Sequence, residues 1–142
     1  MDCSRTSWQS LIEALEQIGD APALLDLNGA EVSGRDLLHF RLMWREALRR
    51  AGITERHRIA TCLPNSLPTA AALLSLMDAV SLLPLNPDAA VERLIDDIRR
   101  AEADAVLLGA TYRDAFRQRF ERAGIKVILW DPSSDGVVLA GQ

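Results

Sequence analysis

The chain has 142 residues, 49% of them hydrophobic, and sets 20 acidic against 16 basic side chains for a formal charge of −4. That length suits one domain with a single core, able to withdraw about 70% of its unfolded-chain surface from water without a disulfide or a metal to hold it. The acidic balance argues against a nucleic-acid groove or an anionic membrane surface as the main partner, and the most apolar stretch, Ala70 to Leu85, is broken by Asp78 and Pro84 and falls short of the roughly 20 residues that a membrane span requires.

In chain order, Ser7 to Ile18 places Trp8, Leu11, Ile12, Leu15 and Ile18 three and four apart with polar residues between, which predicts an amphipathic helix. Pro22 to Asp26 reads as a strand, Asn28-Gly29 as a tight turn and Ala30 to Ser33 as the returning strand of a small hairpin. Ser33 stands three residues before Asp36, the spacing at which a hydroxyl accepts from an early helix amide while the carboxylate reaches back. A long helix is expected from there, with Leu37, Leu38, Phe40, Leu42, Trp44 and Leu48 as its apolar positions and Gly52 as its left-handed stop.

Beyond Gly52 strands and helices alternate. Ile59 to Leu63 is a strand, Asn65-Ser66 a cap, and Leu67 to Met77 a helix apolar on most sides, in which Pro68 is harmless because first-turn amides have no partner inside the helix. Val80 to Leu85 is a second strand, Asp88 a cap, and Val91, Leu94, Ile95 and Ile98 the apolar face of the next helix. Asp104 to Leu108 is a third strand; Thr111 and Asp114 repeat the cap spacing, and Tyr112, Phe116 and Phe120 pack a helix closed by Gly124. Ile125 to Trp130 is a fourth strand, and after a Pro-Ser-Ser-Asp-Gly turn the tail reads either as a strand over Val137 to Ala140 or as disorder. The expected architecture is α/β: a largely parallel sheet with helices on both faces, preceded by a helix and a small hairpin. As one domain over 1–142, it divides into a leading helix (1–20), hairpin and long helix (21–52), strand and helix units (53–131) and tail (132–142).

Candidate chemistry is sparse. Open parallel sheets bind ligands where strands end and helices begin, which singles out Pro64-Asn65-Ser66, Leu85-Asn86-Pro87-Asp88 and Gly109-Ala110-Thr111. Asn65, Ser66, Asp88 and Thr111 are read there first as helix caps and second as ligand contacts. No GxGxxG or GxxxxGK[ST] loop is present to hold a nucleotide by backbone amides. His39 and His57, the two histidines, do not look like catalytic bases, and Asp96 and Asp97 point about 100° apart on a helix and do not face each other. Arg41, Arg45 and Arg49 fall four apart on one helix face, positioned to attract an anion or to face water. Cys3 and Cys62 have no partner at ligand spacing and are read as reduced. The amino terminus lacks the apolar core of a signal peptide, so a cytoplasmic location is expected.

The run of these elements resembles the amino-terminal portion of adenylate-forming (AMP-binding) ligases, enzymes that join a carboxylic acid to AMP and pass the acyl group to a thiol. The likeness covers about Ala21 to Leu108. It rests on the hairpin PALLDLNGAEVS, the helix introduced by Ser33 and closed by Gly52, the strand ending Leu63-Pro64-Asn65-Ser66, the small-residue helix after it, the strand ending Pro84-Leu85-Asn86-Pro87, and Glu92-Arg93-Leu94 leading on to Ala105-Val106-Leu107-Leu108. Two places depart from the pattern: Glu55 to Ile59, where Gly-Asp-Arg-Val is usual, and Asp78-Ala79-Val80-Ser81, where Ala-Gly and small residues are usual. The Pro-Asn-Ser and Pro-Leu-Asn-Pro forms look more like acyl- or aryl-CoA ligases than peptide-synthetase adenylation domains.

The resemblance implies ATP and magnesium for the parent enzyme and no cofactor bound by this stretch, because the family's phosphate loop and its catalytic lysine find no match; Lys126, the one lysine, opens a strand in the wrong part of the chain. It therefore implies no catalytic or metal residue here and leaves cofactor-binding residues unknown. Two readings of function stay open: an amino-terminal scaffold portion whose partner is the remainder of the ligase, inactive alone, which the apolar ending Val137 to Gln142 suggests; and a non-catalytic binding or dimerisation module that pairs with a second copy. A nucleic-acid partner and a membrane span are expected in neither.

Overall fold

A computed structural model describes residues 7–134 and 136–141. Helix α1 (Ser7–Ile18) leads into a two-stranded antiparallel hairpin, β1 (Pro22–Leu25) and β2 (Glu31–Ser33), whose turn closes through Gly29 at φ 85°. Helix α2 (Gly34–Arg50) starts as its capping spacing requires, with Asp36 N donating to Ser33 Oγ at 3.0 Å. It stops at Gly52 (φ 75°), where Ile53 N donates to Leu48 O at 2.9 Å in the closing turn that a left-handed residue permits.

The strand and helix units follow as β3 (Arg58–Cys62), α3 (Leu67–Leu76), β4 (Ser81–Pro84), α4 (Val91–Arg100), β5 (Ala105–Gly109), a 3-10 turn (Ala110–Tyr112), α5 (Arg113–Arg122), β6 (Lys126–Trp130) and β7 (Leu139–Ala140). They build a five-stranded sheet in the order β4-β3-β5-β6-β7, parallel except for β7, which runs antiparallel to β6. The expected parallel sheet is present, and of the two readings of the tail the short strand is the one formed.

Strand alternation assigns the core to two sides. Ile59, Leu107, Ile128 and Trp130 face α2 and α3, meeting Trp44, Leu48, Ala72 and Leu76. Ala60, Cys62, Val106 and Leu108 face the other way, onto Leu94 and Ile98 of α4 and Phe120 of α5. Every residue of β5 is buried, the state of a central parallel strand covered on both faces. The aromatic ladder Tyr112, Phe116 and Phe120 forms as its spacing predicts, with centroids 6.0 and 5.8 Å apart. Leu42, read as an apolar position of α2, is instead 60% exposed, because the buried stripe runs through Leu37, Trp44 and Leu48.

Two expected caps are not formed. Helix α4 begins after Ala90, so Asp88 lies short of it, held in a turn in which its N donates to Asn86 Oδ1 at 2.9 Å. Thr111 lies inside the 3-10 turn, and α5 starts after Tyr112 with no side-chain cap. Helix α4 opens at Val91, three residues past Asp88, and α5 at Arg113, two past Thr111, so neither polar side chain stands at the N-cap position. Ser66 does cap α3, accepting from Thr69 N at 3.3 Å.

Candidate functional site

Chain order and sheet order diverge between β3 and β5: from β3 the chain moves outward to β4, then crosses back to β5 and on to β6. In open parallel sheets the carboxyl ends of two such strands bound the ligand crevice. Here the ends of β3 and β5 lie side by side, with Cys62 in register with Leu108. The Pro64 ring lies over Gly109, so that a β-carbon built on Gly109 would meet Pro64 Cδ at 3.0 Å and Cys62 O at 3.6 Å. The polar groups along this edge are used locally: Ser66 on its own helix, Asn86 on its own turn, and Thr111 exposed in the turn after β5.

Beside that edge, on the α2–α3 side, a groove of about 510 Å³ is lined by Phe40, Met43, Leu67, Pro68, Trp130 and Pro132. An aromatic trio underlies it, with Trp44 set edge-on to Trp130 at 4.8 Å and Phe40 at 6.1 and 6.5 Å from the two indoles. Both indole Nε1 groups are buried and find no acceptor, so they contribute packing and no polar readout. His39 stands exposed at the groove mouth.

The remaining sequence candidates scatter. His57 holds its own turn, its Nδ1 accepting from Thr54 N at 2.9 Å. Cys62 is buried, and burial pushes its thiol up to about 11, which makes it unreactive; Cys3 lies outside the described residues. Asp96 and Asp97 diverge as expected, the first lying between α4 and α5 and the second beside β4. Lys126 Nζ lies 3.5 Å from Ala51 O, at the sheet edge opposite the crevice.

The arginine row is where sequence reasoning missed a structure. Arg41 and Arg45 are taken up by an internal partner: both donate to Asp78 Oδ2 just past the end of α3, Arg41 through Nε at 3.0 Å and through Nη2, and the half-exposed Arg45 through Nη2 at 2.8 Å. Arg49 turns to Glu46 at 2.8 Å. The Asp78 side chain is 9% exposed, and its Oδ1 is buried without a hydrogen-bond partner beside a void of about 30 Å³ under Trp8, Leu11 and Leu15 of α1. Burial raises the affinity of this carboxyl for a proton; the hydrogen bonds and charges of Arg41 and Arg45 outweigh burial and hold it below the usual carboxylate range. The one available signal was the departure at Asp78 from the small residues usual in the family, facing two arginines on α2.

Among the described residues no group of three or more His, Cys, Asp or Glu is placed to hold a metal, and no helix is long and apolar enough to cross a membrane.

With this geometry in view, comparison with known proteins is informative at the level of fold. No protein-family model matches the sequence, and no curated protein matches it. Solved structures do. A four-domain nonribosomal peptide synthetase bound to AMP and glycine matches 95% of this chain at TM-score 0.74 and 26% identity. A benzoate CoA ligase from Burkholderia xenovorans LB400 matches 87% at 0.73 and 20%, and a putative long-chain-fatty-acid CoA ligase from Rhodopseudomonas palustris matches 94% at 0.74 and 16%. The chain spans only 10%, 25% and 35% of those proteins' respective lengths. It is an α/β unit with the fold of part of an adenylate-forming enzyme, the class its sequence resembles. Acyl- and aryl-CoA ligases and a peptide synthetase are alike among the structures that share this fold.

Proposed function

We propose that this chain is the amino-terminal scaffold portion of an acyl-activating ligase of the acyl- or aryl-CoA type, and that it does not adenylate an acid without the rest of such an enzyme. The observation that carries the reading is the match of nearly the whole chain to a small fraction of much longer adenylate-forming proteins. The Pro-Asn-Ser and Pro-Leu-Asn-Pro turns support the CoA-ligase side of the class. In the longer enzyme ATP and magnesium are the implied cofactors. The packing of Pro64 beside Gly109, and the use of Ser66 Oγ and Asn86 Oδ1 by neighbouring backbone amides, support leaving nucleotide binding to the rest of such an enzyme. No step of the reaction is therefore assigned to them. What they supply is a rigid parallel sheet and two covered faces on which a site is built by residues elsewhere.

The test is calorimetric titration of the purified 142-residue chain with ATP and with AMP in the presence of magnesium, with the solution mass recorded on the same sample. No binding heat is expected. Micromolar binding would overturn the reading and show a nucleotide site within these residues.

The alternative, a binding or dimerisation module, draws on one observation: among the described residues β4 has a neighbour on one side only.

A further inference from the structure

Among the described residues β4 is an uncovered parallel edge, which invites pairing with another strand, and its chemistry bears directly on whether it can pair. Ser81 N donates to His57 O at 3.1 Å and Leu85 N to Thr61 O at 2.8 Å, both toward β3. In a parallel ladder the N–H and C=O of one residue point to the same side and alternate residues point oppositely. Leu82 and Pro84 therefore present their backbones outward. Proline has no N–H, so a strand approaching this edge in either direction meets a single donor within β4, that of Leu82. The flank adds a second obstacle. Arg93, Asp97 and Arg100 of α4 line the groove of about 560 Å³ beside Leu83 to Asn86. A second copy docking edge to edge would have to strip water from these charged side chains. At the far edge β7 is two residues long, too short to template a partner.

We infer that Pro84 closes the open edge of this sheet against a second copy of the chain, with the α4 arginines reinforcing it. The sequence has the form expected of an edge kept free of self-pairing, and a self-association of the isolated chain, where it occurs, uses another surface. This inference stands apart from the proposed scaffold role, since it concerns only how β4 meets an identical strand.

The experiment compares the wild-type chain with Pro84→Thr and Pro84→Ala, each of which restores the missing N–H at an exposed position. Mass is measured across the micromolar to millimolar range by light scattering, and amide exchange at Leu82 by NMR. In the wild type the Leu82 amide is expected to exchange without protection. Both variants are expected to self-associate about tenfold or more tightly than the wild type, with Leu82 becoming protected, from the hydrogen bond each copy regains. A wild-type dimer whose Leu82 amide still exchanges freely pairs elsewhere and upholds the inference. Protection of Leu82 in the wild type would overturn it without recourse to any variant, and so would variants that fold and remain as monomeric as the wild type.

Discussion

Pro64 lies against Gly109 just beyond the paired ends of β3 and β5, where a β-carbon on residue 109 would come within 3.0 Å of the Pro64 ring. The contact works only because residue 109 has no side chain: the Pro64 ring is rigid and cannot swing aside. Gly109→Val should cost about 1–3 kcal/mol by overpacking. Thermal unfolding of the variant checks this, and a melting temperature unchanged from wild type would show that the crevice has room to spare.

Gly34 governs the docking of α1. A β-carbon there would lie 2.4 Å from Leu15 O and 3.1 Å from Ile18 Cβ, and a backbone carbonyl yields only if the helix moves. Gly34 is the first residue of α2, where the helix propensity of alanine counts for little, and the displaced helix uncovers Leu11 and Leu15. The expected outcome is a net loss of about 1–3 kcal/mol, with Trp8 fluorescence shifting toward that of a fully exposed indole.

Glu102 occupies the position that glycine holds at the ends of α2 and α5. Its φ is 54°, and Ala103 N donates across it to Ile98 O at 3.0 Å, as Ile53 N does to Leu48 O and Ile125 N to Phe120 O. Glu102 is exposed, so Glu102→Gly loses little packing and relieves the left-handed strain. A gain of about 0.5–2 kcal/mol is expected from relieving the left-handed strain at a helix cap, read as a melting temperature higher by roughly 2–7 °C.

Asp78 gives the fold an acid dependence. Its folded-state proton affinity is depressed by Arg41 and Arg45, so its contribution is fully present above the unfolded value of about 3.9 and is lost as pH falls through the lower folded value. Asp78→Asn keeps the shape and removes the charge, leaving Arg41 partly buried without its counter-ion. With Arg45 43% exposed and screened, a loss of about 1–3 kcal/mol at neutral pH is expected. In denaturant titrations over pH 2 to 7, roughly the carboxylate range, the difference between wild type and variant should narrow toward the acid end; a constant gap would show that the pairing adds nothing.

The features legible in the sequence are those decided within a few residues. Ser33 and Ser66 cap because each hydroxyl stands directly before its helix and three residues from the amide it accepts from. Gly52 and Gly124 end helices because their conformation is forbidden to most other side chains, and the burial of Phe120 and Ile98 follows from helical periodicity. The alternation of strand and helix carried the parallel sheet, and the joint order of the turns carried the likeness to adenylate-forming enzymes. Asp88 and Thr111 look equally good as caps in isolation, but where a helix starts after a strand depends on the crossing to the sheet face, which no local spacing encodes. The pairing of Arg41 and Arg45 with Asp78, the packing of Pro64 beside Gly109, the seating of α1 on Gly34 and the outward-facing backbone of Pro84 join residues far apart in the chain or depend on which strands neighbour each other. By itself, then, the sequence determined the elements and their order, since those follow from local sterics and periodic burial. Which groups meet was decided only by the tertiary structure, because contact requires the sheet order and helix docking that long-range packing selects.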